Sequence, residues 1–225
     1  MADRGPLGDP VALGPAADHP SAVLAGRDVT LRRPDPLRDT AALYAATHGD
    51  ARAEAVWAYM GYGPWAGEEA MGAWIAGRPE SVDPFWYIVA GFDGPLGMAA
   101  IMNHDAVMRR AEIGHIWYVP GAQRTTVNTE AAYLMIRECF DRLGCRRVEW
   151  KCDSLNERSR VAAVRLGFTF EGVFRNHMII KGRNRDTAWY AMTDDDWAVA
   201  RPRLEWWLYD APRIDGRPNG SLSKP

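Results

Sequence analysis

Cysteine is scarce in this 225-residue chain: Cys139, Cys145 and Cys152 are the only three. Their odd number and the lack of a C-x-x-C pair argue against a disulfide framework or a cysteine zinc site. Reduced thiols fit a cytosolic protein. A charge excess is missing as well. With 27 Lys and Arg against 29 Asp and Glu and a net charge of −2, nothing electrostatic argues for nucleic acid or an acidic membrane surface. No apolar run approaches the ~20 residues of a membrane helix. The opening MADRGPLGDPVALGPAADHP has neither a basic start nor a continuous apolar stretch, so no secretory signal is expected. These absences predict a cytoplasmic protein without a metal, a membrane or a nucleic-acid partner.

What is present reads as one domain with tails. Residues 1–26, rich in Gly, Pro, Ala and Asp and without periodicity, predict a flexible leader. Residues 27–200 form the domain, and 201–225 a C-terminal extension ending in APRIDGRPNGSLSKP. Within that extension LEWWLYD either packs back on the domain or leaves a homodimer contact open.

VTLRR (29–33) reads as a strand, followed by a helical stretch and an aromatic, glycine-bearing segment, AVWAYMGYGPW (55–65). A second helix precedes the strands FWYIVAG (85–91) and PLGMAAIMNHD (95–105). After a strand over 110–119 comes an amphipathic helix whose Ala132, Ile136, Cys139, Phe140 and Leu143 share a face. RRVEWKCDSL alternates as a half-buried strand. A helix from the N-cap Asn156 to Gly167 and two last strands complete the order. Three consecutive strands point to an α+β fold with a mixed, mostly antiparallel sheet flanked by about four helices.

The junction GAQRTTVNTE (121–130) joins a strand to a helix, a place where unpaired backbone N–H groups invite an anion. A capped helix start would account for its threonines equally well.

Three stretches, EIGHIWYVPGAQRTTVNTEAA, NERSRVAAVRLGF and EGVFRNHMIIKGRNRDTAWYAM, together resemble the GNAT superfamily of acetyl-CoA-dependent N-acetyltransferases, in particular its ribosomal-protein N-acetyltransferase-like branch. The resemblance spans roughly residues 28–197. It implies acetyl-CoA as co-substrate, no metal, and a splayed strand pair that holds the cofactor's pantetheine arm along the backbone of Ile116, Trp117 and Tyr118.

The family's pyrophosphate turn, Gln/Arg-x-x-Gly-x-Gly/Ala, falls on Gln123, Thr126 and Asn128, so both glycine positions are changed. A helix already formed from Thr125 to Thr129 could still offer its amides, with Thr and Asn side chains as further donors and Arg124 adding charge. Asn156 and Ser159 match the family's Asn-x-x-Ser. The implied roles are Asn156 orienting the cofactor amide and Ser159 hydrogen bonding the leaving sulfur.

On the same strand Glu112 is the favoured general base, with His115 as its rival. Simple alternation sets them on opposite faces, and a bulge would alter that. Trp57, Tyr59 and Trp65, with Tyr62, fall where the family builds its acceptor-pocket wall, or else they only anchor a long loop. The acceptor is expected to be an amine. At pH 7 deprotonating a lysine costs roughly 4.6 kcal/mol and an α-amine only about 1.4 kcal/mol, so a modest base favours a protein α-amine or a weakly basic small molecule. Two other readings are a non-catalytic acyl-CoA-binding or regulatory domain and an acyl-enzyme mechanism through Cys152.

Overall fold

The structure is a computed structural model that describes residues 7–78, 82–214, 217–220 and 222. A central eight-stranded sheet runs in the order β1-β2-β3-β4-β5-β6-β8-β7. Its strands are β1 (Val23–Ala25), β2 (Thr30–Arg32), β3 (Phe85–Gly91), β4 (Gly94–Asp105), β5 (Arg110–Tyr118), β6 (Arg147–Asp153), β7 (Thr169–Ile180) and β8 (Arg183–Thr193). All neighbours pair antiparallel except β5 and β6. The helices are α1 (Pro36–Thr47), the single turn α2 (Ala51–Glu54), α3 (Glu68–Ala76), α4 (Val127–Arg137), α5 (Glu157–Leu166) and α6 (Asp194–Glu205).

Local chemistry sets the boundaries. Asp35 caps α1 through the N–H groups of Leu37 and Arg38, with Pro36 in the first turn, where its missing N–H costs nothing. Thr193 and Asp196 form a reciprocal capping box at α6. Gly167 ends α5 at φ 111°, a left-handed conformation that glycine adopts without strain.

The two faces of the sheet separate two layers. On β3, Trp86 packs against Trp74 of α3 with ring centroids 5.3 Å apart. Its neighbour Tyr87 points the other way, its hydroxyl donating to Ser21 O at 2.7 Å, on the side of α4. Helix α4 was expected to bury one stripe. Instead, Val127 and every residue from Thr129 to Ile136 are buried, because sheet, α5 and both chain ends surround it.

Those ends correct the expected boundaries. The leader 1–26 already contains β1, and before it Ala17 N–H donates to Arg142 O at 2.9 Å and Ser21 N–H to Glu138 Oε1 at 2.7 Å. The extension 201–225 begins inside α6, which continues as a wider turn over Trp206–Asp210. LEWWLYD packs back on the domain: Leu208 is buried, and Tyr209 meets Tyr133 edge-on at 5.9 Å. Leu222 is buried too, its carbonyl accepting from Arg203. Composition missed these anchors because single side chains tie down otherwise aperiodic chain.

Candidate active site

Of the residues in β5, only Arg110, Ala111 and Glu112 pair with β6, opposite Arg147, Val148 and Glu149. Beyond them the two parallel strands diverge, and the edge of β5 from Ile113 onward has no strand beside it. The gap opens into a cleft of ≈ 420 Å³. Strand alternation gives the cleft two sides. Trp150 and Cys152 of β6 face α5, whereas Glu112, Lys151, Arg185 and Thr187 share the opposite face with the aromatic cluster under α3.

Glu112 is 4% exposed. Its Oε2 receives both Lys151 Nζ at 2.5 Å and Asn103 Nδ2 at 2.7 Å, leaving Oε1 without a hydrogen-bond partner among the described residues. Burial pushes its carboxyl above the usual range, and the hydrogen bond and charge of Lys151 oppose that rise. Lys151 also lies over the Trp189 ring, 4.4 Å from its centroid.

His115 settles the question of faces. At φ 53° it sits in a bulge, and the pairing shifts register there, from Gly114↔Ala100 to Trp117↔Met98. The extra residue brings His115 onto the side of Glu112, where it packs on Trp86 at 4.4 Å and Tyr62 at 5.7 Å. Simple alternation would have separated the two. Burial, and then the charges of Arg78 and Arg185, lower the His115 pKa to about 4, so its imidazole is neutral at physiological pH.

Across the gap, Ser159 Oγ accepts a hydrogen bond from Trp150 Nε1 at 2.9 Å. That bond takes one of the two lone pairs of the hydroxyl, and its single proton can turn to the Cys152 thiol or to a sulfur in the cleft. Asn156 caps α5, its Oδ1 accepting from Ser159 N–H at 3.2 Å, which leaves the amide NH2 to donate. Capping and cofactor readings are therefore compatible. The Cys152 pKa is raised, chiefly by burial, with the Ser159 hydroxyl opposing. A thiol whose pKa is raised and that has no histidine partner among the described residues gives no support to an acyl-enzyme route.

Next to the cleft is a crevice of ≈ 300 Å³ lined by Arg52, Val56, Pro120, Gln123, Arg124 and Arg158. None of the three arginines forms an ion pair with a described residue. Helix α4 begins here, and the first-turn N–H groups of Asn128 and Thr129 have no acceptor among the described residues. The left-handed residue of the turn is Arg124, at φ 62°, while Thr126 has φ −67°. Replacing glycine at 126 and 128 therefore costs the backbone nothing.

The threonine side chains behave differently from the expectation. Thr125 Oγ1 donates to Ala122 O at 2.6 Å, Thr126 Oγ1 to Asp28 Oδ2 at 3.2 Å, and the fully buried Thr129 accepts from Arg165 at 2.7 Å. The fold uses these hydroxyls, so main-chain N–H groups and arginines are what face an anion.

Tyr59 and Ile116 line the cleft. Trp57 and Trp65 do not: Trp57 is buried with Nε1 donating to Thr47 O at 3.1 Å, and Trp65 packs edge-on against it at 4.8 Å. They form the backing of the wall, and Tyr62 and Met60 present its surface. The Trp117 and Tyr118 side chains are buried, so only their backbone is offered to a ligand. Sequence reading missed Asn103, Lys151, Trp150, Arg52, Arg158 and Arg185. The alternation of RRVEWKCDSL signalled a strand but not which of its residues would reach across to β5 and α5. Among the described residues no group of His, Cys, Asp or Glu could hold a metal, and no helix is long and apolar enough to cross a membrane.

This geometry agrees with what the chain is similar to. Residues 28–169 match the acetyltransferase (GNAT) domain. The "Putative ribosomal N-acetyltransferase YdaF" of Bacillus subtilis (strain 168) is 31% identical over 150 residues, covering 58% of this chain and 81% of that protein. A GCN5-related N-acetyltransferase from Brucella melitensis superposes with a TM-score of 0.84 at 34% identity, over 90% of this chain and 93% of its own. A "probable acetyltransferase (GNAT family)" from Chromobacterium violaceum ATCC 12472 gives a TM-score of 0.74 at 36% identity, over 88% and 98%. Diverging parallel strands, an arginine-lined crevice at a helix start and a match over most of the domain agree: the chain belongs to the GNAT family of acetyltransferases.

Proposed function

We propose that the protein transfers the acetyl group of acetyl-CoA to a primary amine, a protein α-amine or that of a small molecule, by direct attack within a ternary complex. The observation that carries this reading is one cleft with a proton acceptor on one side, Glu112 Oε1, and a hydroxyl donor on the other, Ser159, fixed by Trp150. Residues fit for the cofactor are also present. Arg52, Arg124, Arg158 and the free amides of α4 match a diphosphate, and the unpaired edge of β5 at Ile116, Trp117 and Tyr118 matches an amide-bearing arm.

Acetyl-CoA supplies an activated thioester, and the chain supplies the rest. Glu112 takes the amine proton as the C–N bond forms. Lys151 and Asn103 hold its other oxygen and keep it ionised, while burial makes it a stronger base than a solvated carboxylate. A main-chain N–H of β5 stabilises the oxyanion. As the C–S bond breaks, the Ser159 hydroxyl donates to the departing thiolate. The neutral His115 stands beside the amine as a hydrogen-bond partner, its basicity too low to compete with Glu112.

The test is release of free CoA from acetyl-CoA with a panel of peptides and small amines. Turnover that falls about 10²- to 10⁴-fold in Glu112→Gln, the range for a general base, with acetyl-CoA affinity retained, supports the reading. Tight acetyl-CoA binding without CoA release for any amine would make the protein a sensor.

A further inference from the structure

Arg185 is the group in the cleft that this mechanism does not use. It lies on β8 opposite Met178 of β7, on the face of Glu112 and Lys151, and its Nε is buried without a hydrogen-bond partner. Its guanidinium forms no ion pair with any described residue. The nearby carboxylates are otherwise engaged. Glu112 is joined to Lys151. Asp153 Oδ1 accepts from Leu155 N–H at 2.9 Å. Asp186, pointing away on the opposite face of β8, accepts from Asn176 N–H at 2.7 Å and Asn184 Nδ2 at 3.0 Å. The cofactor's phosphates belong to the separate crevice of Arg52, Arg124 and Arg158, which Arg185 does not line.

A half-buried cation that faces an open cleft and has no carboxylate partner among the described residues offers itself to a ligand anion. Lys151 and Glu112 pair with each other, and Asp153, which also lines the cleft, forms no ion pair with Arg185, so the guanidinium is the cation left without a counter-ion and open to a ligand carboxylate. The planar fork of arginine suits a carboxylate as well. Tyr59, Tyr62, Met60 and Met178 provide an apolar and aromatic wall around it.

Resting on the acetyl-transfer reading, we infer that the acceptor is an amine that also carries a carboxylate, received by Arg185, with an apolar or aromatic body against the tyrosine and methionine wall.

The experiment compares kcat/KM, counted on the free-base amine, for acceptors matched except for the carboxylate: phenylalanine against phenylalaninamide, and a peptide beginning with Glu against the same peptide beginning with Gln. The protein should prefer the acid about 10- to 100-fold in one pair, the range of a charge-assisted hydrogen bond. Preference in the first pair identifies a free amino acid, and in the second an acidic peptide terminus. Arg185→Gln should bring the acid-to-amide ratio to near one, and Arg185→Lys should retain part of it. A purely structural role would lower both members and preserve the ratio, which overturns the inference. For turnover too slow to measure, calorimetry on the CoA-bound protein with N-acetylphenylalanine and its amide reads the same ratio, and equal or absent binding overturns it. If acetyl-CoA itself gives no heat, the acetyl-transfer reading fails; if it binds and the ratio is one, only the role of Arg185 fails.

Discussion

Lys151→Met isolates the ion pair at the centre of the cleft. Glu112 is 4% exposed and its partner's side chain is 18% exposed, with 2.5 Å between Nζ and Oε2, so solvent screens the pair little. Methionine keeps most of the stem volume and its contact with Trp189, which confines the perturbation to charge. Removing one member of a buried pair costs about 3–5 kcal/mol, because the other is left uncompensated. The sign follows from burial. The Glu112 pKa is already raised in the folded protein, and without Lys151 it rises further. A carboxyl with a raised folded pKa carries no penalty below its unfolded pKa of about 4.3; the penalty grows as pH climbs towards the folded value. Urea unfolding of Lys151→Met should therefore show a small loss at pH 5 and a loss of about 3 kcal/mol at pH 8, and Lys151→Met/Glu112→Gln should recover most of the pH 8 loss. The acid limb of kcat/KM should move to higher pH in Lys151→Met. Equal losses at both pH values, with no recovery in the double variant, would refute the argument.

Other expectations follow from the same geometry. Ser159→Ala should lower kcat about 10- to 100-fold with acetyl-CoA affinity unchanged, since a hydrogen bond to a developing charge contributes about 1.5–3 kcal/mol; rapid-quench kinetics separate the two terms. Arg124→Gln and Arg158→Gln should each weaken CoA binding by about 1–2 kcal/mol, and the difference from wild type should shrink as salt is raised in calorimetry. Glu130, 1% exposed, accepts from the N–H groups of Arg27, Asp28 and Val29 at 2.6, 2.8 and 3.1 Å. Glu130→Gln should lower unfolding free energy by about 2 kcal/mol, measured by denaturant titration.

Seven of the eight sheet strands were legible in chain order, β1 within the expected leader being the exception, because alternation and turn residues are local signals: FWYIVAG is β3 residue for residue, and Asn156 and Gly167 bound α5 where their chemistry says they should. Of the candidate site, the contiguous pair Asn156 and Ser159 lines the cleft together. The site was illegible where the partners come from separate strands. Nothing in Lys151 or Asn103 announces Glu112, and a bulge of one residue at His115 reversed the facing that alternation implied. For Trp57 and Trp65 two readings were open, and their packing fits the second, an anchor behind the wall, because aromatic residues near a pocket serve equally well there.

The Glu130 carboxylate has a wider consequence. It clips the chain at 27–29 to the first turn of α4, while Asp28 holds both Thr126 and Arg213. The segments around residues 28 and 213 are thus laced to the same helix mouth, over a sequence separation of 185 residues for the Arg213–Asp28 contact. Trimming the C-terminal stretch that carries Arg213 would release Asp28 from one of its partners at this mouth, so a protein shortened there should stay folded and bind CoA more weakly.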